Sequence, residues 1–155
     1  VIIDWSPGDY YFTFQFYAHD IGTNRDFNVR YPAIAIRFLD FPTLLIRASV
    51  GGNNRLTLGA GKKCSFWMHS EDLRSALIAK PCYVMFVDAD PKHTTILGSC
   101  TLNLGLFTRD DCFFNHLDPT SNVKRSVINL FDQVKAPVGK IDATITLSLL
   151  DKSTI

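Results

Sequence analysis

Ile141-Asp142-Ala143-Thr144-Ile145-Thr146-Leu147-Ser148-Leu149 sets an apolar residue at every odd position and a polar one at every even position. Successive side chains of a β-strand point to opposite faces, so this stretch has one apolar and one polar face. That is the pattern of an antiparallel sheet with a core on one side and water on the other. The same period recurs upstream. Phe12, Phe14 and Phe16 alternate with Thr13 and Gln15; Ile34, Ile36 and Phe38 with Ala35 and Arg37. Cys64, Phe66 and Met68 alternate with Ser65, Trp67 and His69; Cys100, Leu102 and Leu104 with Thr101 and Asn103.

Two further segments, Thr43–Ile46 and Tyr83–Val87, are nearly continuous in apolar residues and are expected to lie centrally or to carry apolar residues on both faces. Gly51-Gly52-Asn53-Asn54, Gly59-Ala60-Gly61, Asp90-Pro91 and Asp118-Pro119 punctuate the strands as turns. Strands at this short spacing predict an all-β, antiparallel sandwich of about eight strands. One short connecting helix is predicted, about two turns long. Ser70 is its cap, Glu71 and Asp72 lie in its first turn, Leu73, Ala76 and Leu77 share a face, and Pro81 stops it. Residues 107–129 read as a long loop with room for a helical turn, and residues 1–10 as an N-terminal extension or an extra strand.

The 155 residues are read as one domain. The net charge of +1 gives no electrostatic reason to expect a nucleic-acid partner. No apolar run reaches the ~18–20 residues of a membrane span. The chain starts at Val1 without an initiator Met or a signal-peptide pattern, and is read as a segment of a longer protein. Cys64, Cys82, Cys100 and Cys112 lack CxxC spacing. The first three fall inside strands, where a reduced thiol packs as a small apolar group.

The order of these features resembles a divergent C2 domain. Tyr31-Pro32-Ala33-Ile34-Ala35-Ile36 resembles the C2 strand that usually reads Asp-Pro-Tyr-Val. Tyr83-Val84-Met85-Phe86-Val87-Asp88-Ala89-Asp90 resembles the strand that ends in Asp-x-Asp. Ile96-Leu97-Gly98 resembles the opening of the strand after it, and Pro137–Leu150 is similar to the last strand of C2 domains in centriolar and ciliary scaffold proteins. Pro32–Ile46, with Gly61–Phe66, the helix and Tyr83–Val87, is similar to the N-terminal domain of the microtubule-associated protein ten family.

Many C2 domains bind calcium, which takes about six to eight oxygen ligands. Asp88 and Asp90 match the Asp-x-Asp motif. Tyr31 stands where the family's other Asp would be, and Thr94-Thr95-Ile96 replaces a later loop Asp. Asp20 and Asp26 lie in the preceding loop at a different spacing. Two carboxylates are too few for tight binding, so Asp88 and Asp90 are read as shaping the turn into Pro91, and no cofactor is expected.

Arg37, Arg47, Lys62 and Lys63 would make a basic surface if their strands were neighbours, suited to a phosphoinositide headgroup or an acidic protein surface such as tubulin's. Trp67 falls on the polar side of its strand, where an exposed Trp can anchor an interface. His19, His69, His93 and His116 have no metal-ligand spacing, and no nucleophile elbow or phosphate-cradling loop occurs. Cys64 and His69 sit at an odd offset, on opposite faces of one strand.

The expectation is a calcium-independent protein-interaction module and not an enzyme. The resemblance implies a centrosomal, ciliary or microtubule-associated scaffold in the cytoskeleton, with a protein partner such as tubulin or a centriolar protein. The alternative is a membrane-targeting C2 domain that binds anionic phospholipid, with or without calcium.

Overall fold

The computed structural model describes residues 8–24, 29–50, 56–108 and 121–152. Among these residues ten strands form: β1 (Asp9–Thr23), β2 (Pro32–Arg37), β3 (Leu44–Arg47), β4 (Ser49–Val50), β5 (Leu56–Thr57), β6 (Ala60–His69), β7 (Cys82–Ala89), β8 (Thr94–Leu102), β9 (Ser121–Phe131) and β10 (Pro137–Lys152). Helix α1 (Ser70–Ala79) joins β6 to β7, and a 3-10 turn at Leu104–Thr108 follows β8.

Eight strands share the order β3-β2-β7-β8-β9-β10-β1-β6, while β4 and β5 form a separate ribbon. All pairings among the described strands are antiparallel. The order breaks naturally in the middle. β8 and β9 share a single bridged pair, Ser99 with Phe131, and beyond it they diverge. The result is a sandwich with β3-β2-β7-β8 as one sheet and β9-β10-β1-β6 as the other. β3 and β6 approach each other on the opposite side.

The inner faces are the ones that the alternation marks. Phe12, Phe14 and Phe16 from β1 are buried, as are Ile34 and Ile36 from β2, and Ile141, Ala143, Ile145 and Leu147 from β10. Phe38, just past β2, lies flat on Phe14 with ring centroids 3.9 Å apart and planes 3° from parallel. It also meets Phe41 and Phe66. One aromatic cluster therefore bolts the two sheets together. The chain turns out of Phe38 through Leu39, whose φ of 50° is left-handed, and Phe41 N–H donates to the Phe38 carbonyl.

Gly98 shows why the C2-like strand opens with a glycine. A Cβ there would stand 2.5 Å from Val138 Cγ2 and 3.3 Å from Leu130 Cβ, where the β9–β10 hairpin presses on β8.

Two expectations need correction. The helix runs ten residues rather than two turns, and its cap is His69, not Ser70. Glu71 N–H donates to His69 Nδ1 (3.2 Å), and Ser70 instead ties the helix start to β1, its N–H donating to the Gly8 carbonyl (2.8 Å). Residues 107–129 are not one long loop, since Ser121–Phe131 forms β9. The strand was hidden because two positions on its inward side are polar: Lys124 faces Ile145 and Ser126 faces Ala143. The segment 109–120, with His116 and Cys112, lies outside the described residues. Of the two nearly continuous apolar runs, β3 lies at an end of the sheet order and β7 in its middle, and both carry apolar residues on both faces, as expected. At the N-terminus, Asp9 and Tyr10 already belong to β1, and Val1–Pro7, including Trp5, lie outside the described residues.

Candidate functional site

The Asp88–Asp90 segment holds its own loop. Asp88 accepts from the Tyr31 N–H (3.0 Å) and the Arg30 N–H (3.4 Å), so it closes the turn that enters β2. Asp90 accepts from the Lys92 N–H (2.9 Å), and its carbonyl accepts from the His93 N–H (3.1 Å). Both carboxylates are thus engaged with backbone donors, as turn aspartates commonly are. Among the described residues no group of three or more His, Cys, Asp or Glu converges; Asp26 lies outside them.

The basic residues divide between two surfaces. Arg37 on β2 and Arg47 on β3 both point out from the β3-β2-β7-β8 sheet and are exposed. Lys63 lies on β6 opposite Gln15, on the outer face of the other sheet, and Lys62 faces the opposite way across from Phe16. The four do not gather into one patch. Trp67 shares the outer face of Lys63. It is 57% exposed and its ring lies against Tyr11 at 4.9 Å.

Two of the histidines make structural contacts. His19 shares a 2.6 Å hydrogen bond with Thr144 and touches the Tyr17 ring, and His69 caps α1. Cys64, Cys82 and Cys100 are free thiols. Burial pushes the Cys82 thiol up to about 12 and raises Cys64 and Cys100 as well, so all three stay protonated and poorly nucleophilic at neutral pH.

One surface went unnamed at the level of sequence. On the outer face of β3-β2-β7-β8, Ala33, Ala35 and Val87 are buried, with Leu45, Met85 and Ala89 packed around them. Ala33 pairs across to Arg47 and Val87, and Ala35 to Leu45 and Met85. Ala35 on β2, between the larger Leu45 and Met85, opens into a trough that crosses the outer face from β3 to β8. Its cavity is about 440 Å³ and reaches Thr94 and Ile96 on β8. The signal for it was present in the apolar runs Thr43–Ile46 and Tyr83–Val87, which leave no polar side to meet water.

Two antiparallel sheets in this order, with the Asp-x-Asp loop at one end and a short helix bridging them, are those of a C2-type β-sandwich. Solved structures agree. A C2 domain of plant Extended Synaptotagmin 1 superposes with a TM-score of 0.58 at 11% identity, covering 95% of this chain and 99% of that one. A C2 domain-containing protein from a putative elicitor-responsive gene gives 0.54 at 11% identity, covering 99% and 98%.

Within that class the chain belongs to the family described as Microtubule associated protein 10, N-terminal domain, whose model matches residues 25–151. Microtubule-associated protein 10 of Bos taurus is 33% identical over 85 residues, and that of Homo sapiens 31% over 85 residues. Each match covers 47% of this chain and 9% of the relative, so the chain corresponds to a small part of those proteins.

Proposed function

We propose that this domain is a calcium-independent docking module, not an enzyme, through which a larger microtubule-associated scaffold holds a protein partner. Membership of the microtubule-associated family over residues 25–151 is the observation that carries this reading. The geometry supports it in two ways. Asp88 and Asp90 serve the backbone of their own loop instead of standing free for a cation. The outer sheet faces offer broad surfaces of the kind that protein partners cover, with the exposed Trp67 against half-buried Tyr11 on one and an apolar trough on the other. The setting is the cytoskeleton, at microtubules, centrioles, basal bodies or cilia, and the partner is tubulin or a protein assembled on it.

Co-sedimentation tests this reading. The 155-residue chain should pellet with microtubules in a salt-sensitive way, with or without calcium. It should stay in the supernatant with phosphatidylserine vesicles. Calcium-dependent pelleting with vesicles that disappears in Asp88→Asn/Asp90→Asn would establish the membrane-targeting alternative instead.

A further inference from the structure

The seam between the two sheets leaves one long strand edge open. β8 meets β9 only at the Ser99–Phe131 pair, so from Val123 to Asn129 the edge of β9 away from β10 has no strand beside it among the described residues. The backbone donors and acceptors along such an edge are a template for another extended chain. The end strands of the sheet order are guarded in ways that β9 is not. β3 is four residues long, and β6 carries Lys62 and Lys63 in succession. Short and lysine-bearing edges are the usual defence against strand addition. On β9, Val123 and Val127 share the outer face and are 57% and 58% exposed.

We infer that this edge pairs antiparallel with the same edge of a second copy of the chain, about a two-fold axis at Arg125. The inference goes beyond the docking-module reading and does not depend on it. A two-fold interface uses one patch as both partners, so the patch must complement itself. Val123-Lys124-Arg125-Ser126-Val127 does so. Each Val123 stands opposite the second copy's Val127, and the two β-branched pairs flank the axis on the outer face, an arrangement that antiparallel strands favour. A foreign strand would have to bring apolar residues four positions apart with a small residue opposite Lys124. A second copy already carries them.

Charge fixes the register. Keeping the outer faces of both copies on one side puts the axis on a residue and not between two. An axis at Lys124 sets that lysine against its own copy and Val123 against Arg125, a like-charge pair and two mismatched ones. An axis at Ser126 sets Arg125 against Val127 and Lys124 against Ile128, and the valines lose each other. At Arg125, Lys124 faces the small, neutral Ser126, and its long side chain keeps the ammonium in water. The two Arg125 guanidinium groups meet at the axis. Each already donates to both carboxylate oxygens of its own Asp142, at 3.2 and 2.8 Å, so each arrives as a neutral pair.

Sedimentation equilibrium of the 155-residue chain tests the pairing. The weight-average mass should climb from that of one chain toward that of two between about 10 μM and about 1 mM. Val123→Asp/Val127→Asp should weaken the association about tenfold or more, with the far-ultraviolet spectrum unchanged. Cysteine cross-linking reads the register, because opposed residues of an antiparallel pair lie within reach of a disulfide. Under mild oxidation, and above the level of the parent chain, Arg125→Cys should form covalent dimers by itself. Val123→Cys and Val127→Cys should do so only when the two variants are mixed, an outcome that misfolding cannot produce. A parent chain that stays monomeric up to about 1 mM would overturn the inference. So would a dimer that the double aspartate variant leaves intact, or Val123→Cys cross-linking as readily alone as in the mixture.

Discussion

The two outer faces of this sandwich meet water in different ways. On the β9-β10-β1-β6 sheet, polar side chains engage one another across strands. Thr13 and Ser65 hydroxyls are 2.9 Å apart, His19 reaches Thr144, and Arg125 grips Asp142. Val123 and Val127 interrupt this ladder, and the Tyr11–Trp67 pair closes one end of it. On the β3-β2-β7-β8 sheet the centre of the outer face is Ala33, Ala35, Val87, Leu45 and Met85, and its two arginines stand apart. The first face satisfies its own polar groups. The second is apolar at its centre, where Ala33, Ala35 and Val87 are buried among larger neighbours. Both faces rest on the same interior, so substitutions can be chosen that strike both, one or neither.

Phe38→Ala strikes both. Phe38 is fully buried, stacks on Phe14 of β1 and directly follows β2, so it belongs to both sheets at once. The loss is expected to be about 3–5 kcal/mol in urea unfolding, the usual cost of emptying a buried phenylalanine site. Near-ultraviolet and Trp67 signals should be lost together. If the Trp67 signal survived a transition seen at Met85, the two faces would belong to independent units and their comparison would lose its common base.

Alkaline pH should have a smaller effect of the same kind. The Cys82 thiol is pushed up to about 12 by burial, from an ordinary value of 9.0. Between those values the unfolded chain releases a proton that the folded chain keeps. Stability is therefore fully present below about pH 9 and falls as the pH rises toward 12. Cys82→Ala should flatten that part of the pH profile. In the native protein a thiol reagent should label Cys64 and Cys100 before Cys82.

How much of this was legible in the sequence depended on how far each strand separated its two faces. β1 and β10 alternate cleanly because one side meets the core and the other a polar ladder, so both were readable directly. β9 was missed because Lys124 and Ser126 take inward positions near the sheet margin, where a long side chain can reach water. The helix was readable from Leu73 and Leu77, but its cap was not, since a histidine ring serving as acceptor is not among the usual capping residues. The basic residues are visible in the sequence, yet their spacing could not assign them to sheets. That required knowing that β6 pairs with β1, which puts Lys63 on one surface and Arg37 on the other. The trough was the hardest to see, because Ala33 and Ala35 look ordinary until their neighbours across the sheet are known.

Paired surface substitutions sharpen the contrast between the faces. Thr13→Val removes a hydrogen bond from the polar ladder at a largely buried position, and should lower stability by about 0.5–1.5 kcal/mol. It should not change the fluorescence of an apolar-surface dye such as anilinonaphthalene sulfonate. Leu45→Ser/Met85→Ser should do the converse on that probe and remove most of the dye signal. A dye signal that survives the double substitution would mean that the apolar character of this molecule's surface lies elsewhere, at Val123 and Val127 or at Trp67.

The smallest effect is expected at Arg125 and Asp142. The guanidinium donates to both carboxylate oxygens, at 2.8 and 3.2 Å, but on the open side of the sheet, where water competes for each charge. The hydrogen bond from Arg125 holds the Asp142 carboxyl below the usual carboxylate range, and the charges of Arg125 and His19 act in the same direction. A depressed folded value means that the pair's contribution is present above the ordinary carboxylate value and is lost as the pH falls through the lowered one. Arg125→Ala should leave the urea midpoint at neutral pH nearly unchanged, while the Asp142 carboxyl, followed by NMR, titrates closer to its ordinary value. A large loss of stability in that variant would mean that the polar ladder acts as a cooperative network. The self-satisfied face would then be a structural requirement of the sandwich as well as a solvated surface.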